Sequence, residues 1–92
     1  MMYAKKIRMK PGCNHSILPE EISEIYVDGC DNPGFFSKET LHDYLLKNPN
    51  SIKVNITPFP NLVPATSSTG EKYVRSSPNQ SKTDNLLNLP KV

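Results

Sequence analysis

The stretch SKETLHDYLLKNPN, Ser37–Asn50, decides how this chain folds. Ser37 is a sound N-cap, because its hydroxyl can accept from an early helical N–H that has no intrahelical partner. Glu39 falls in the first turn, where a carboxylate favours the helix dipole, and Lys47 in the last. Leu41, Tyr44 and Leu45 are spaced three and four apart and form an apolar stripe, which Leu46 broadens. Pro49 stops the helix at Asn48. A helix of about ten residues is marginal in water, so it must lie on a sheet. Phe35 or Phe36, just before the cap, is placed to act as a hydrophobic staple.

The flanks supply the strands. In YAKKIRM (3–9), Tyr3, Lys5, Ile7 and Met9 alternate with Ala4, Lys6, Arg8 and Lys10, giving one largely apolar face. Lys5 interrupts that face and is expected to snorkel at its end. KPGCNHS reads as a turn. EEISEIYVDG carries Ile22, Ile25, Tyr26 and Val27, and its β-branched and aromatic content favours a strand over a helix. SIKVNI alternates cleanly, with Ile52, Val54 and Ile56 on one side. LVPAT suits an edge strand, because Pro64 has no N–H to donate. SSTGE turns the chain into KYVRS, a last strand. The order is β-β-α-β-(β)-β and then a tail. The expected fold is α+β: a small antiparallel or mixed sheet of four to five strands, one helix across a face, and a leucine-containing C-terminal turn.

With 92 residues the chain suits one small domain over 1–92, with 77–92 as a turn and closing tail. Hydrophobic residues make up 36% and charged residues 22%, which argues against disorder throughout. Most of the nine prolines fall at Pro49 or beyond, so the second half favours short strands and turns. Net charge is +2, too weak alone to argue for nucleic acid. The charge is unevenly spread, however. Lys5, Lys6, Arg8 and Lys10 crowd the first strand, and acids dominate 20–43. Cross-strand neutralisation is the expected result. No apolar run approaches the ~20 residues that cross a membrane, and no apolar core follows the early lysines as in a signal peptide. The expected location is the cytoplasm.

The tail KTDNLLNLP, Lys82–Pro90, places Leu86, Leu87 and Leu89 within four residues. Leu86 and Leu87 cannot both face inward on a strand but can on a helical turn. They are expected to close the sheet face that the helix leaves open or to cover the sheet edge, with Thr83 and Asp84 anchoring the turn and Pro90 ending it. A fully buried leucine is worth roughly 1.5 to 3 kcal/mol of transfer free energy.

KYVRSSPNQSKTDNLLNLPKV resembles the closing segment of DUF3892, a family of small bacterial and phage domains of unknown function. In that family an aromatic-Ile/Val-Arg-Thr/Ser stretch leads to an Asp-Asn-Leu-Leu-x-Leu-Pro ending. Tyr73, Val74, Arg75 and Ser76 resemble the first part, and Asp84, Asn85, Leu86, Leu87, Leu89 and Pro90 the second. YAKKIRM is similar to the family's first strand and FFSKETLHDYL to its helix start. The first turn here is poorer in Gly and His than is usual in the family, the second strand ends in YVDG without the usual aromatic, and SSPNQSK lacks the usual Gly. The resemblance implies a small bacterial or phage protein and brings no activity or active site.

Candidate chemistry is sparse. Cys13, His15, Cys30 and His42 are ligand types that zinc takes four at a time. Their spacing favours independent thiols and surface histidines over a metal centre. A Cys13–Cys30 disulfide is disfavoured in a reducing compartment. A Cys13–His15 nucleophile needs a third group, and Glu20, Glu21 and Asp31 are equally placed for it. His42 and Asp43 point about 100° apart on a helix and do not form a dyad by themselves. Gly12, Gly29, Gly34 and Gly70 are isolated, so no phosphate loop is present. Lys6, Arg8 and Lys10, with Arg75 nearby, are the nucleic-acid candidates. Tyr26, Phe35, Phe36, Phe59 and Tyr73 are read as core or core-rim residues. The expected function is a non-enzymatic interaction or accessory domain of bacterial or phage type. It would use a sheet edge or outer face to bind a protein partner or to self-associate, with no cofactor and no membrane. The alternatives are a nucleic-acid binder using the basic first strand and, further off, a small hydrolase-like enzyme.

Overall fold

Ser37 opens the helix as its hydroxyl predicts. Its Oγ accepts from the Thr40 N–H at 3.2 Å, and Asn48 closes the other end with its N–H on the Tyr44 carbonyl at 2.9 Å. In this computed structural model residues 2–12, 18–56, 59–77 and 85–92 are described. The strands are β1 (Met2–Met9), β2 (Ile22–Asp28), β3 (Gly34–Ser37), β4 (Ile52–Val54), β5 (Leu62–Thr66) and β6 (Lys72–Ser76), and the helix is α1 (Lys38–Lys47). Short 3-10 turns cover Pro19–Glu21 and Asn85–Asn88. A Ser37→Ala variant is expected to lose about 1 kcal/mol in urea unfolding, the usual cost of a missing N-cap.

Four strands form a mixed sheet in the order β3-β2-β1-β4. The β1–β2 and β2–β3 pairs are antiparallel, and β1–β4 is parallel. A parallel pair needs a long crossover, and α1 lies within the one between them. The strand β3 was not expected, because GFFS is too short to show a period and reads as a staple. Its register places Phe35 opposite Tyr26 and Phe36 opposite Ile25.

The inward face of β1 differs from strict alternation. Ala4 pairs with Val27 and Lys6 with Tyr26, so Lys5 is the extra residue of a bulge. The bulge flips the pattern: Ala4, Ile7 and Met9 are buried, while Lys6 and Arg8 are exposed. Lys5 is thereby released from the core face and pairs with Asp28 at 3.0 Å. A second irregularity leaves Ser23 extra on β2, where its Oγ donates to the Arg8 carbonyl at 3.0 Å. That shift lets Ile22 and Ile25 both face inward although they are three apart.

The helix also sits differently from the apolar stripe. Its buried residues are Lys38, Leu41, His42 and Leu45, whereas Tyr44 is 39% and Leu46 63% exposed. At about 100° per residue, a face centred on Leu41, Leu45, Lys38 and His42 leaves Tyr44 and Leu46 roughly a quarter turn off on opposite sides. Polar Lys38 is tolerated inside because its ammonium lies 2.6 Å from the Glu71 carboxylate, which also takes Lys10 at 2.6 Å.

The β5–β6 hairpin forms its own two-stranded sheet beside α1. Pro64 lies opposite Val74, on a strand with a single ladder partner, as an internal proline requires. An isolated Lys53–Asn61 bridge joins the hairpin to β4.

The three tail leucines are all in the core: Leu86 is 0%, Leu87 5% and Leu89 4% exposed. The turn at Asn85–Asn88 lets the adjacent Leu86 and Leu87 both face inward. The chain then runs parallel to β1, with the Ile7 N–H on the Pro90 carbonyl at 2.9 Å and the Val92 N–H on the Ile7 carbonyl at 3.0 Å. β4 covers β1 from Met2 to Ala4, and the tail takes over at Ile7. Pro90 uses only its carbonyl, so its missing N–H costs nothing. Thr83 and Asp84 lie outside the described residues.

Candidate functional site

One face of the four-stranded sheet packs on α1, the hairpin and the tail. The other face carries Tyr3, Lys5, Lys6 and Arg8 from β1, Glu24, Tyr26 and Asp28 from β2, Phe35 from β3 and Lys53 from β4. None of these is buried. Register explains the grouping: Lys6, Tyr26 and Phe35 form one row across the strands, and Arg8 and Glu24 begin the next.

The row is held by cation–aromatic contacts. Tyr26 and Phe35 meet edge to face with ring centroids 5.4 Å apart. The Lys6 ammonium lies 5.5 Å from the Tyr26 centroid, and the Arg8 guanidinium carbon 4.2 Å from that of Phe35. Arg8 Nη1 also donates to Glu24 Oε1 at 2.7 Å. A guanidinium fixed from below by a ring and from the side by a carboxylate has few rotamers left to lose on binding. At the β4 side, Tyr3 meets Phe59 edge to face at 6.3 Å, and Lys53 donates to Asn61 at 3.2 Å. Phe59 has a φ of 58°, which is costly for a bulky residue.

The nucleic-acid candidates therefore divide. Lys6 and Arg8 share this face. Lys10 turns to Glu71, and Arg75 lies on β6, in the other sheet. Phe36 packs against the core as expected, but Tyr26, Phe35 and Phe59 stand half-buried or exposed at the surface. The signal for Tyr26 was its position between Ile25 and Val27 on a two-residue period, which puts it on the side away from the core.

The metal-ligand candidates are only half visible, since Cys13 and His15 lie outside the described residues. Cys30 sits on the β2–β3 turn with Sγ 4.0 Å from the Val27 carbonyl. His42 is buried in α1. Its Nδ1 lies 3.3 Å from Asp43 Oδ1, so these neighbours meet despite their divergent directions, and Lys72 reaches the same oxygen at 3.3 Å. The His42 contact, then Lys72, holds the Asp43 carboxyl below its ordinary range. Lys5 and the Gly29 N–H do the same for Asp28. Hydrogen bonds from Lys10 and Lys38 bring Glu71 down to about 2. Among the described residues no three His, Cys, Asp or Glu side chains gather as a metal site.

A cleft of about 310 Å³ opens between α1 and the sheet, lined by Met2, Val27, Cys30, Phe36, Leu41 and Tyr44 among others. Tyr44, off the core stripe, forms part of this lining.

A family described as "Protein of unknown function (DUF3892)" matches residues 20–90. The chain belongs to DUF3892. The match runs from the 3-10 turn before β2 through the leucine tail, so Tyr26, Phe35 and the buried Leu86, Leu87 and Leu89 fall inside it. The cations Lys6 and Arg8 precede the span, as does the YAKKIRM strand that resembles the DUF3892 opening. No curated protein and no solved structure matches the chain.

Proposed function

We propose that this DUF3892 chain is a small non-enzymatic accessory domain, of the bacterial or phage type its sequence resembles, that captures a partner on the outer face of its sheet. The observation that carries this reading is the arrangement of that face. Lys6 and Arg8 stand on Tyr26 and Phe35, ordered by the fold yet open to solvent. Aromatic and arginine side chains in fixed rotamers are the groups that most often dominate binding energy. The carboxylates Asp28, Asp43 and Glu71 are each held below their ordinary range by hydrogen-bonded neighbours, which disfavours them as general acids near neutrality. A cytoplasmic setting belongs to the same proposal. No helix among the described residues is long and apolar enough to cross a membrane.

A photo-crosslinking phenylalanine analogue at position 35, compared with one at the exposed position 46 on α1, tests the reading in producing cells. Adducts from position 35 and none from position 46 are expected. Adducts from position 46 alone would move the binding surface to the helix and overturn the proposal.

A further inference from the structure

We infer that the outer sheet face takes single-stranded nucleic acid, with bases stacking on the Arg8 guanidinium and the exposed rings and phosphates meeting Lys6 and Lys53. This inference rests on the outer face being the working surface. Charge is its first support. The face carries Lys5, Lys6, Arg8 and Lys53 against Glu24 and Asp28. Both acids are consumed internally: Glu24 by Arg8 at 2.7 Å and Asp28 by Lys5 at 3.0 Å. Among the described residues Lys6 makes no ion pair, and the partner of the Lys53 ammonium is the neutral Asn61 amide at 3.2 Å. The charge left to an incoming ligand is therefore positive and sits at two separated points.

Stacking is the second support. The Arg8 guanidinium carbon lies 4.2 Å from the centre of the Phe35 ring, and its side chain is 47% exposed. One side of the group is seated on the ring while much of it remains open to solvent. Unpaired bases stack on arginine planes as well as on aromatic rings. Phe59, 43% exposed beside Tyr3 on the β4 side, offers a second apolar platform. A duplex buries its base faces, so such platforms select single strands. An acidic polypeptide would use the same charge but leave the platforms unused. Strand spacing sets the scale. β1 is eight residues long, and β4 and β3 flank the β1–β2 pair at different levels, so the face is about 26 Å long and about 10 Å, three strands, wide, room for about four nucleotides.

The test is fluorescence anisotropy of the full chain with a labelled oligothymidine of about 12 nucleotides, its annealed duplex, and labelled poly-glutamate. With two or three phosphates neutralised, single-strand affinity should fall about tenfold between about 50 and about 200 mM salt. Arg8→Lys keeps the charge but removes the plane, and should weaken binding about fivefold or more. Lys6→Ala should flatten the salt dependence. Both side chains are exposed, so each variant should keep the wild-type amide dispersion, with shifts confined to the outer face. The inference is overturned by failure to bind the single strand at about 0.1 mM protein in low salt, by equal affinity for poly-glutamate, or by full affinity in Arg8→Lys. Poly-glutamate binding that perturbs outer-face amides would sink the nucleic-acid inference and keep the binding face. Loss of position-35 crosslinks in favour of position 46 would remove both.

Discussion

Leu86→Ala lowers the free energy of unfolding by about 2 to 5 kcal/mol, and Leu87→Ala falls in the same range. Leu46→Ala, on the exposed side of α1, stays within about 0.5 kcal/mol. Leu86 has no exposed surface and Leu87 only 5%, in a core shared with β1, β2, α1 and β4. Truncating either removes apolar contact and leaves a cavity that a small domain cannot collapse around without moving strands. For a domain of this size each kcal/mol is worth roughly 4 to 8 °C in Tm, so the tail variants should melt at least about 8 °C lower. The tail adds a backbone component as well, since Pro90 and Val92 pair with Ile7. Urea unfolding of the three variants checks the claim. Wild-type stability in both tail variants would show that the segment lies on the domain without holding it together.

Glu71→Gln destabilises the protein at pH 7, and Lys38→Met does so less. Glu71 joins three elements: Lys10 beyond the end of β1, Lys38 at the start of α1, and its own position ahead of β6. The Lys38 side chain is only 3% exposed, so neutralising the carboxylate 2.6 Å from its ammonium weakens the charge balance at a poorly solvated place. Removing Lys38 instead leaves Glu71, a third exposed, with Lys10 still at 2.6 Å. The asymmetry has a pH signature. Glu71 titrates near 2 in the folded chain against an ordinary value of 4.5. A lowered carboxylate pKa contributes stability above the unfolded value and loses it as pH falls through the folded one. The gap between wild type and Glu71→Gln should therefore be full above pH 4.5, shrink below it, and close near pH 2. Asp28 and Asp43 are common to both proteins and cancel in the difference. Urea midpoints at several pH values measure it, and a gap that stays constant through this window would refute the role given to Glu71.

Local chemistry was legible wherever one residue type answers one backbone need. The Ser37 cap, the stop at Asn48 before Pro49, the edge position of Pro64 and the turn beneath Leu86 and Leu87 all follow from the chain read in order. The failures share a cause. Strict alternation put Lys5 inward, but a bulge opposite β2 moved it out. The apolar stripe put Tyr44 and Leu46 in the core, but a distant Glu71 made Lys38 acceptable there, and His42 followed it on the same face. The four-residue β3 had no period to read. It exists because β2 offers it a ladder.

The candidate face was legible in its cations and not in its rings. Lys6 and Arg8 stand out in a strand without acids. Tyr26, Phe35 and Phe59 look like core material in a chain with few large side chains, and only strand pairing shows that they stand outside it. By itself the sequence determined the α+β class, the helix and its cap, and the inward leucines of the tail, because these depend on neighbours within a few residues. The tertiary structure alone decided which side of β1 faces water, how α1 is rotated, and that Arg8 rests on Phe35. Those outcomes turn on bulges and ion pairs between residues far apart in sequence, whose energies exist only once the strands have met.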